Sequence, residues 1–320
     1  MKYKLKKISG DASFREFYRV GKNNKTSIIV SAKKEKFKNL IVYAVVNKIL
    51  NNNRINAPKL LSNYYNNDMI EISDLGEKSF YDYIITKKNK LNDYKSLVKL
   101  IIKVQKIKIK KSYKLGKFKV KFLKYSLNNL QKESDLFFDW YLKYCLRKKK
   151  ISKIKKLLRK ELNKVYKKLR FSNNTFVHRD FHVSNIILKN KKLGLLDSQD
   201  AIIGNPLYDV ASLIDDVRIK LPNNLQDNLI HFYHKNSKLK KKNIKNLKND
   251  FDILSVQRNL KILGIFVRLS KRDGKNNYLK FLPNTWKLIE RRLKNPIFKN
   301  LNNLINKNLP IKKMRKLNKI

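Results

Sequence analysis

The chain has 320 residues, of which 77 are lysine or arginine and 24 are aspartate or glutamate, so its formal net charge is +53. A hydrophobic content of 42% is enough to build a core, and the length suits one large domain or two lobes. The single cysteine, Cys145, excludes an internal disulfide and a cysteine-based zinc cluster.

The excess of basic residues does not by itself indicate a polyanionic partner. The lysines are spread from Lys2 to Lys319, which is typical of solvated faces. A nucleic-acid partner is therefore not expected, although a polyanion-binding surface stays open as the alternative. No apolar signal segment follows Met1, and no apolar run is long enough to span a membrane. These features predict a soluble, cytoplasmic protein with no membrane partner.

Residues 1–75 are predicted to be rich in β-strands. Apolar runs separated by turn residues predict strands at 3–8, 14–20, 27–30, 57–61 and 69–72. One helix, from about 38 to 50, interrupts the strands. This order of strands, helix and strands is that of the small nucleotide-binding lobe of a kinase-like fold.

Residues 76–320 are predicted to be mainly helical and to form the catalytic and substrate lobe. Apolar residues at helical spacing occur at Leu97, Leu100, Ile101 and Val104. A second, strongly basic helix follows, and its apolar stripe consists of Ile151, Ile154, Leu158, Leu162, Val165 and Leu169. Because the stripe is continuous and the charges take the other face, this helix is interpreted as a surface helix that packs on the core.

The most informative motif is His178-Arg179-Asp180, followed by Asn185 and by Asp197 at the end of an apolar run. Kinase-type phosphotransferases use a catalytic-loop aspartate as base, an asparagine in the same loop as a magnesium ligand and a later aspartate as a second ligand. Asp180, Asn185 and Asp197 fit these three positions. The apolar runs on either side, 186–188 and 193–196, are expected to be strands.

This set of residues suits the transfer of a γ-phosphoryl group from ATP. The reaction depends mainly on positioning and charge neutralisation, so two magnesium ligands and one carboxylate must converge in one cleft. Asn185 and Asp197 offer the oxygen ligands that Mg²⁺ prefers. Asp180 is then left to accept a hydrogen bond from the attacking hydroxyl. The expected cofactors are ATP and Mg²⁺.

Further residues are candidates for holding the nucleotide. Ser9, Ser13 and Arg15 flank a turn between the first two predicted strands, where they could donate to phosphate oxygens; an ordinary hairpin turn is the alternative. Lys33, at the end of the third predicted strand, is a candidate for the phosphate-binding lysine of kinases or a solvated side chain. Asp74 lies in the predicted hinge at 69–76.

Two residues are interpreted as structural support. His178 opens the catalytic motif, and Asp209 lies in the segment Gly204-Asn205-Pro206-Leu207-Tyr208-Asp209. Asp209 is expected to cap a helix or to brace the catalytic loop, in preference to contacting the substrate.

These residues resemble the aminoglycoside phosphotransferase/choline kinase superfamily, whose signature HxDxHxxN is matched by His178, Asp180, His182 and Asn185. The resemblance implies an α+β, bilobal protein-kinase-like fold with a small antiparallel sheet in the N-lobe and a mainly helical C-lobe. Protein kinases usually have lysine where His182 stands, which favours the small-molecule branch. One departure is Ser198, where the family usually has phenylalanine.

Within that superfamily the chain is most similar to the bacterial N-acetylmuramate/N-acetylglucosamine 1-kinases of cell-wall recycling. The likeness extends over most of the chain, and its most discriminating parts are the late segments 257–261, 264–266 and 272–275. It implies an ATP- and Mg²⁺-dependent kinase of an anomeric sugar hydroxyl, with Asp180 as base and Asn185 and Asp197 as metal ligands. The candidates for contacts with the sugar are Glu133, Asp135, Gln199, Asp200 and Arg258, for which ion pairs between helices are the competing explanation.

Two alternatives stay open. One is a kinase of another small alcohol, such as choline or an aminoglycoside, although the +53 charge argues against cationic substrates. The other is a polyanion-binding protein built on a degenerate kinase fold, which the absence of an obvious strand lysine would suit. The sequence makes no prediction of the oligomeric state.

Overall fold

The chain is described as a computed structural model that covers residues 4–8, 15–22, 25–32, 38–146 and 148–309, with side chains described everywhere in these ranges except at 4, 22 and 148–150. The chain divides into two compact units. The first unit comprises Met1–Leu123 and Thr175–Ile203, and the second comprises Lys124–Asn174 and Gly204–Ile320. The predicted boundary at residue 75, between a nucleotide-binding lobe and a catalytic and substrate lobe, stays a prediction.

The first unit contains a five-stranded antiparallel sheet in the order β1-β2-β3-β5-β4. Its strands and the helix that follows the third of them are β1 (Lys4–Ile8), β2 (Glu16–Lys22), β3 (Lys25–Ser31), α1 (Lys38–Asn52), β4 (Leu60–Tyr64) and β5 (Met69–Ser73). The predicted order of strands, helix and strands is confirmed, and so is the small antiparallel sheet.

The core of this sheet lies on one face, because side chains alternate across a strand. On β3, Ile28 and Val30 are buried, and they pack with Leu40 and Tyr43 of α1. The prediction for β4 was wrong at its start, which lies at Leu60 and not at residue 57. Proline has no N–H to donate to a ladder, so the paired strand begins only after Pro58.

The rest of the first unit consists of short helices and two-stranded sheets. The elements are α2 (Phe80–Ile84), α3 (Leu91–Gln105), β6 (Tyr113–Leu115), β7 (Phe118–Val120), β8 (Thr175–Val177), β9 (Ile186–Lys189), β10 (Lys192–Leu195) and β11 (Ile202–Gly204). The pairs are β6 with β7, β9 with β10, and β8 with β11. The strands β9 and β10 confirm the two strands that were expected to flank Asn185 and Asp197.

The second unit is helical. Its helices are α4 (Leu127–Leu136), α5 (Lys143–Cys145), α6 (Lys148–Tyr166), α7 (Leu207–Ile214), α8 (Asn223–Asn236), α9 (Ile244–Asp273), α10 (Leu282–Leu293) and α11 (Lys299–Asn308). The basic helix α6 buries Ile154, Leu158, Leu162 and Val165, so the prediction that its apolar stripe packs on the core is confirmed.

The 30-residue helix α9 is the centre of the second unit, where it packs against α4, α7 and α10. A π-helical segment, Phe137–Leu142, continues α4 and also lies against α9. The two helices approach closely at Gly264: a Cβ atom there would lie 2.3 Å from the carbonyl oxygen of Leu136. Tyr141 of the π-helical segment accepts a hydrogen bond from Trp286 Nε1 at 2.7 Å, and both side chains are fully buried.

The late segments on which the resemblance rests, 257–261, 264–266 and 272–275, lie on α9 and at its end. Gln257 and Arg258 are buried near the middle of the helix. Gly274 ends the helix with φ +68°, a left-handed conformation that glycine adopts without a Cβ clash. Within the described ranges, no helix is both long enough and apolar enough to cross a bilayer.

Candidate active site

The catalytic motif lies on the connection between β8 and β9. Phe176 and Val177 of β8 are buried, and Phe181 and Val183 of the connection are buried as well, so apolar anchors hold it on both sides of Asp180. The His178 ring is buried and packs edge-on against the Phe181 ring, with 6.0 Å between ring centres. His178 therefore has the packing of a supporting residue, and its predicted role stays a prediction.

Asp180 and Asn185 are joined directly. Asn185 Nδ2 donates to the Asp180 carbonyl oxygen at 3.0 Å and to Asp180 Oδ2 at 3.2 Å. His182 Nε2 lies 3.4 Å from the other carboxylate oxygen, Oδ1. The Asp180 side chain is nevertheless 42% exposed. The carboxylate is thus oriented by its neighbours and still accessible to a reacting hydroxyl.

Asp197 is brought beside Asn185 by a backbone contact. Leu196 N–H donates to the Asn185 carbonyl oxygen at 2.8 Å, which fixes the residue before Asp197 against the asparagine. The pKa of Asp197 lies above its usual value, mainly because burial disfavours the charged carboxylate. The positive charge of Arg15 opposes this shift, and the negative charge of Asp180 adds to it. The three residues predicted from the motif therefore lie in one place.

The backbone around these residues is strained. Asp197 has φ +58° and Arg179, next to Asp180, has φ +75°. A non-glycine residue in this region costs roughly 1–3 kcal/mol, and such residues cluster at functional sites. The cost is borne at Asp197 and at Arg179, the residue before Asp180.

Asn185 and Asp197 are the residues that could hold a magnesium ion. Their amide and carboxylate oxygens are the hard ligands that Mg²⁺ takes, and Mg²⁺ commonly completes its shell with water and phosphate oxygens. The Asn185 amide nitrogen faces Asp180, which leaves Oδ1 as the oxygen for a metal. In the part of the chain that the structure describes, no group of three His, Cys, Asp or Glu residues forms a metal cluster.

Arg15, a candidate for holding phosphate, lies beside Asp197. Its Nη2 is 3.2 Å from Asp197 Oδ1, and its Nη1 donates to Gln199 Oε1 at 2.8 Å. Gln199 in turn donates to Asp200 Oδ2 at 3.3 Å, and Arg179 lies 3.6 Å from Asp200 Oδ1. Gln199 and Asp200, which were predicted to contact the sugar, are thus part of the first unit and lie close to Asp197 and Arg15. Their contact with a sugar stays a prediction.

Two residues of α1 that the sequence did not single out belong to this site. Asn47 Oδ1 accepts a hydrogen bond from Ser198 Oγ at 2.7 Å, and both residues are buried. The Tyr43 ring lies 6.0 Å from the Arg15 guanidinium carbon. The signal that could have identified Asn47 is a polar residue within the apolar run 40–50. Ser198, the departure from the superfamily, is the residue that contacts it.

The hinge aspartate has partners on both carboxylate oxygens. Arg19 Nε donates to Asp74 Oδ2 at 2.6 Å, and Gly76 N–H donates to Oδ1 at 2.8 Å. Burial by itself raises the pKa of Asp74, but the Arg19 guanidinium and the Gly76 amide outweigh it and lower the pKa. These contacts hold Asp74 against Arg19 and Gly76. The hinge at 69–76 and nucleotide binding by Asp74 stay predictions. Ser9, Ser13 and Lys33 lie outside the described residues.

The other predicted substrate contacts belong to the second unit. Glu133 is buried; its Oε2 accepts from Tyr208 at 3.2 Å and from Gln257 at 3.0 Å, and its Oε1 pairs with Lys261 at 3.0 Å. Asp135 pairs with Arg159 at 3.1 Å. These are the ion pairs between helices that the sequence analysis left open as the competing explanation, and a substrate role for Glu133 and Asp135 stays a prediction.

Arg258 and Asp209 are also held inside the second unit. The Arg258 guanidinium lies 5.0 Å from the centre of the Tyr208 ring, a distance typical of a cation–π contact. Asp209 is fully buried in the first turn of α7. Its burial suits structural support, which stays the interpretation.

Comparison with known proteins places these features in a family. The sequence model of the phosphotransferase enzyme family matches residues 4–241. The N-acetylmuramate/N-acetylglucosamine kinase of Pseudomonas aeruginosa is 26% identical over 286 residues, which cover 88% of this chain and 81% of that protein. The protein of the same name from Neisseria meningitidis serogroup B is 25% identical, with 86% and 81% covered.

A solved structure has a similar fold. The choline/ethanolamine kinase family protein from Mesorhizobium loti superposes with a TM-score of 0.62 at 12% identity, covering 95% of this chain and 92% of that one. At such low sequence identity the likeness concerns the fold alone, and it confirms the expected kinase-like architecture.

Proposed function

The chain belongs to the phosphotransferase enzyme family, and from this premise we propose that it transfers the γ-phosphoryl group of ATP to the anomeric hydroxyl of N-acetylmuramate or N-acetylglucosamine. The observation that carries the kinase chemistry is the convergence of Asp180, Asn185 and Asp197 in one unit. The sugar is supported by the names of the relatives that match over most of the chain.

In this proposal Asp180 acts as the base. Its exposed carboxylate accepts a hydrogen bond from the sugar hydroxyl, orients the oxygen toward the phosphorus and takes the proton as the new bond forms. An anomeric hydroxyl is more acidic than other sugar hydroxyls because the ring oxygen withdraws electron density. Asn185, which donates to Oδ2, holds the carboxylate in position.

Asn185 and Asp197 are proposed to hold magnesium with the nucleotide phosphates. The ion would neutralise charge on the phosphate oxygens. The chain's own contribution is to fix the two ligands against each other, through the Leu196–Asn185 backbone hydrogen bond and the left-handed backbone of Asp197.

The test is phosphorylation of defined acceptors. Purified protein is incubated with ATP, Mg²⁺ and one of N-acetylmuramate, N-acetylglucosamine, glucose or choline, and the product is identified by ³¹P NMR. We expect a sugar 1-phosphate from an amino sugar. For Asp180→Asn we expect kcat to fall by about 10²–10⁴, the range typical of a positioned general base.

Asp227→Asn is the matched control. Asp227 is another carboxylate with a similarly exposed side chain, 50% against 42% for Asp180, and it pairs with Arg291 on the second unit. Its substitution should leave turnover unchanged. Phosphorylation of choline but of no sugar would replace the proposed acceptor with another small alcohol. ATP turnover with none of the acceptors, together with salt-sensitive binding of nucleic acid, would favour the polyanion-binding alternative.

A further inference from the structure

The helix α1 carries no carboxylate. Kinases commonly hold a phosphate-binding strand lysine in place with a glutamate from the helix after that strand. In this chain the corresponding helix, Lys38–Asn52, contains neither aspartate nor glutamate. The usual lysine–glutamate pair therefore cannot be made with α1, and another arrangement must hold whatever cation contacts the phosphates.

A buried arginine lies beside Asp197, one of the two proposed metal ligands. Arg15 immediately precedes β2 and is only 6% exposed. Its guanidinium contacts the metal-ligand candidate Asp197 and the side chain of Gln199. Burying a cation is costly unless it is paired. The pairing with Asp197 explains why Arg15 is buried beside a predicted magnesium site.

The contact between Arg15 and Asp197 is a weak one for a buried pair. One nitrogen, Nη2, contacts one oxygen, Oδ1, at 3.2 Å, and the Asp197 side chain is 32% exposed. A metal ion that bound Asp197 would compete for the same carboxylate. The guanidinium would then stay beside the metal and the phosphates that accompany it, and its planar fork suits phosphate oxygens.

α1 reaches this segment through uncharged groups. Asn47 accepts the hydrogen bond of Ser198, the residue after Asp197, and the Tyr43 ring lies next to the guanidinium of Arg15. These two contacts connect the helix to the arginine and to the metal-ligand segment. In the usual pair, the helix carboxylate holds the phosphate-binding lysine in place. Here the contacts of Tyr43 and Asn47 link α1 to Arg15 and to the segment after Asp197.

We propose that Arg15 is the phosphate-binding cation of the nucleotide site, positioned by Gln199 and by the Tyr43 and Asn47 contacts of α1 in place of a lysine–glutamate pair. The inference rests on the proposed kinase function, because it requires a nucleotide beside Asp197. It makes Arg15 a residue that touches the nucleotide, and Asn47 a positioning residue.

The test measures binding and needs no acceptor. Dissociation constants for ADP, AMP and adenosine are determined by calorimetry in the presence of Mg²⁺ for the wild type and for Arg15→Met. We expect ADP binding to weaken by about 10- to 100-fold, the loss of a charged hydrogen bond, while adenosine binding changes less than about twofold. Arg54→Met, which removes an exposed arginine from the same unit, should change neither.

The ratio of ADP affinity to adenosine affinity decides the result. An unchanged ratio in Arg15→Met would overturn the assignment, because a merely structural arginine would weaken both ligands together. If Arg15→Met gives no cooperative thermal unfolding, Arg15→Gln takes its place, since glutamine keeps a donor toward Asp197 but lacks the charge. We expect Arg15→Gln to lower the ratio of ADP affinity to adenosine affinity as well. An unchanged ratio would contradict the assignment of Arg15.

Failure of this inference differs from failure of the proposed function. If the proposed acceptor is wrong, the sugars are not phosphorylated, but the affinity for ADP still falls in Arg15→Met. If Arg15 does not bind phosphate, Arg15→Met phosphorylates the sugar with an unchanged KM for ATP. The two experiments together therefore separate the acceptor from the nucleotide contact.

Discussion

Two arginine–carboxylate pairs in this protein have opposite designs. In the second unit, Arg292 binds Asp215 through two parallel contacts, Nε to Oδ2 at 2.8 Å and Nη2 to Oδ1 at 2.7 Å. Gln226 accepts a further bond from Arg292 Nη2 at 2.7 Å, and Ser255 donates to Asp215. In the first unit, Arg15 meets Asp197 through a single contact at 3.2 Å.

The two pairs differ in how far their side chains are exposed to water. The side chains of Asp215 and Arg292 are 1% and 6% exposed, so their charges are stabilised by the protein groups around them and hardly by water. Asp215 lies at the end of α7, and Arg292 lies in α10. Asp197 keeps a third of its side chain exposed and has a left-handed backbone. The Arg292–Asp215 pair links two helices through fixed contacts. The Arg15–Asp197 pair leaves the carboxylate of Asp197 able to exchange Arg15 for another partner.

The largest expected effect comes from breaking the fixed pair. We expect Arg292→Met to lower the free energy of unfolding by about 3–5 kcal/mol, because it leaves Asp215 charged and buried without its main partner. Arg15→Met should cost clearly less, since water can reach Asp197. Urea denaturation of both variants measures the two losses. Equal losses would contradict the distinction between the pairs.

A second expectation concerns packing of the helical unit. Gly264→Ala should lower the free energy of unfolding by about 1–3 kcal/mol, because its Cβ would meet the backbone of Leu136 and backbone cannot yield as a flexible side chain does. Gly21→Ala on β2 is the control, since a Cβ there meets nothing within 4 Å. Urea denaturation should show little change for the control, and a stable Gly264→Ala protein would show that α9 can shift.

The smallest expected effect is a pH dependence in the Arg292 cluster. Burial raises the pKa of Asp252 to about 6, although Arg292 and Asn295 oppose the shift. The folded state therefore binds the proton of the Asp252 carboxyl more tightly than the unfolded state does. The free energy of unfolding must then fall as the pH rises from about 4 to above 6.

Between pH 5 and pH 7 the loss due to Asp252 should be about 1 kcal/mol in the free energy of unfolding. Asp252→Asn removes the titrating group, so its free energy of unfolding should fall less over the same interval. Urea denaturation of the wild type and the variant at both pH values measures the difference. Parallel pH profiles would show that Asp252 does not hold its proton in the folded protein.

The sequence predicted the parts of the site that are local in the chain. The spacing of Asp180, Asn185 and Asp197 reflects one loop and one hairpin, so the residues converge whenever those short elements form. The pairing of Arg15 with Asp197 joins residues 182 apart, and that of Asn47 with Ser198 joins residues 151 apart. No local pattern encodes such contacts, because they depend on how the elements pack.

The fold was predictable to a similar depth. Alternation and turn residues indicated the strands of the sheet. β4 begins at Leu60 and not at residue 57, because the paired strand starts only after Pro58. The sequence analysis gave no bounds for the helix α9, which buries polar residues such as Asp250, Gln257 and Asn259 together with apolar ones. Asp250 accepts from the backbone N–H groups of Arg170 and Phe171, and Asn259 donates to Ser255 on α9 itself. Gln257 donates to Glu133 of α4. A hydrophobic pattern along one segment cannot reveal such partners.

The way the chain alternates between the two units has a consequence for synthesis on the ribosome. The first unit needs its early part, up to Leu123, and the later segment Thr175–Ile203, which carries the catalytic loop. A chain that emerges from its N-terminus can form the sheet early. It cannot complete the first unit, and with it the site around Asp180 and Asp197, until the first segment of the second unit has also been made. A nascent chain stalled before residue 175 would therefore lack the catalytic motif, and nucleotide binding should appear late in translation.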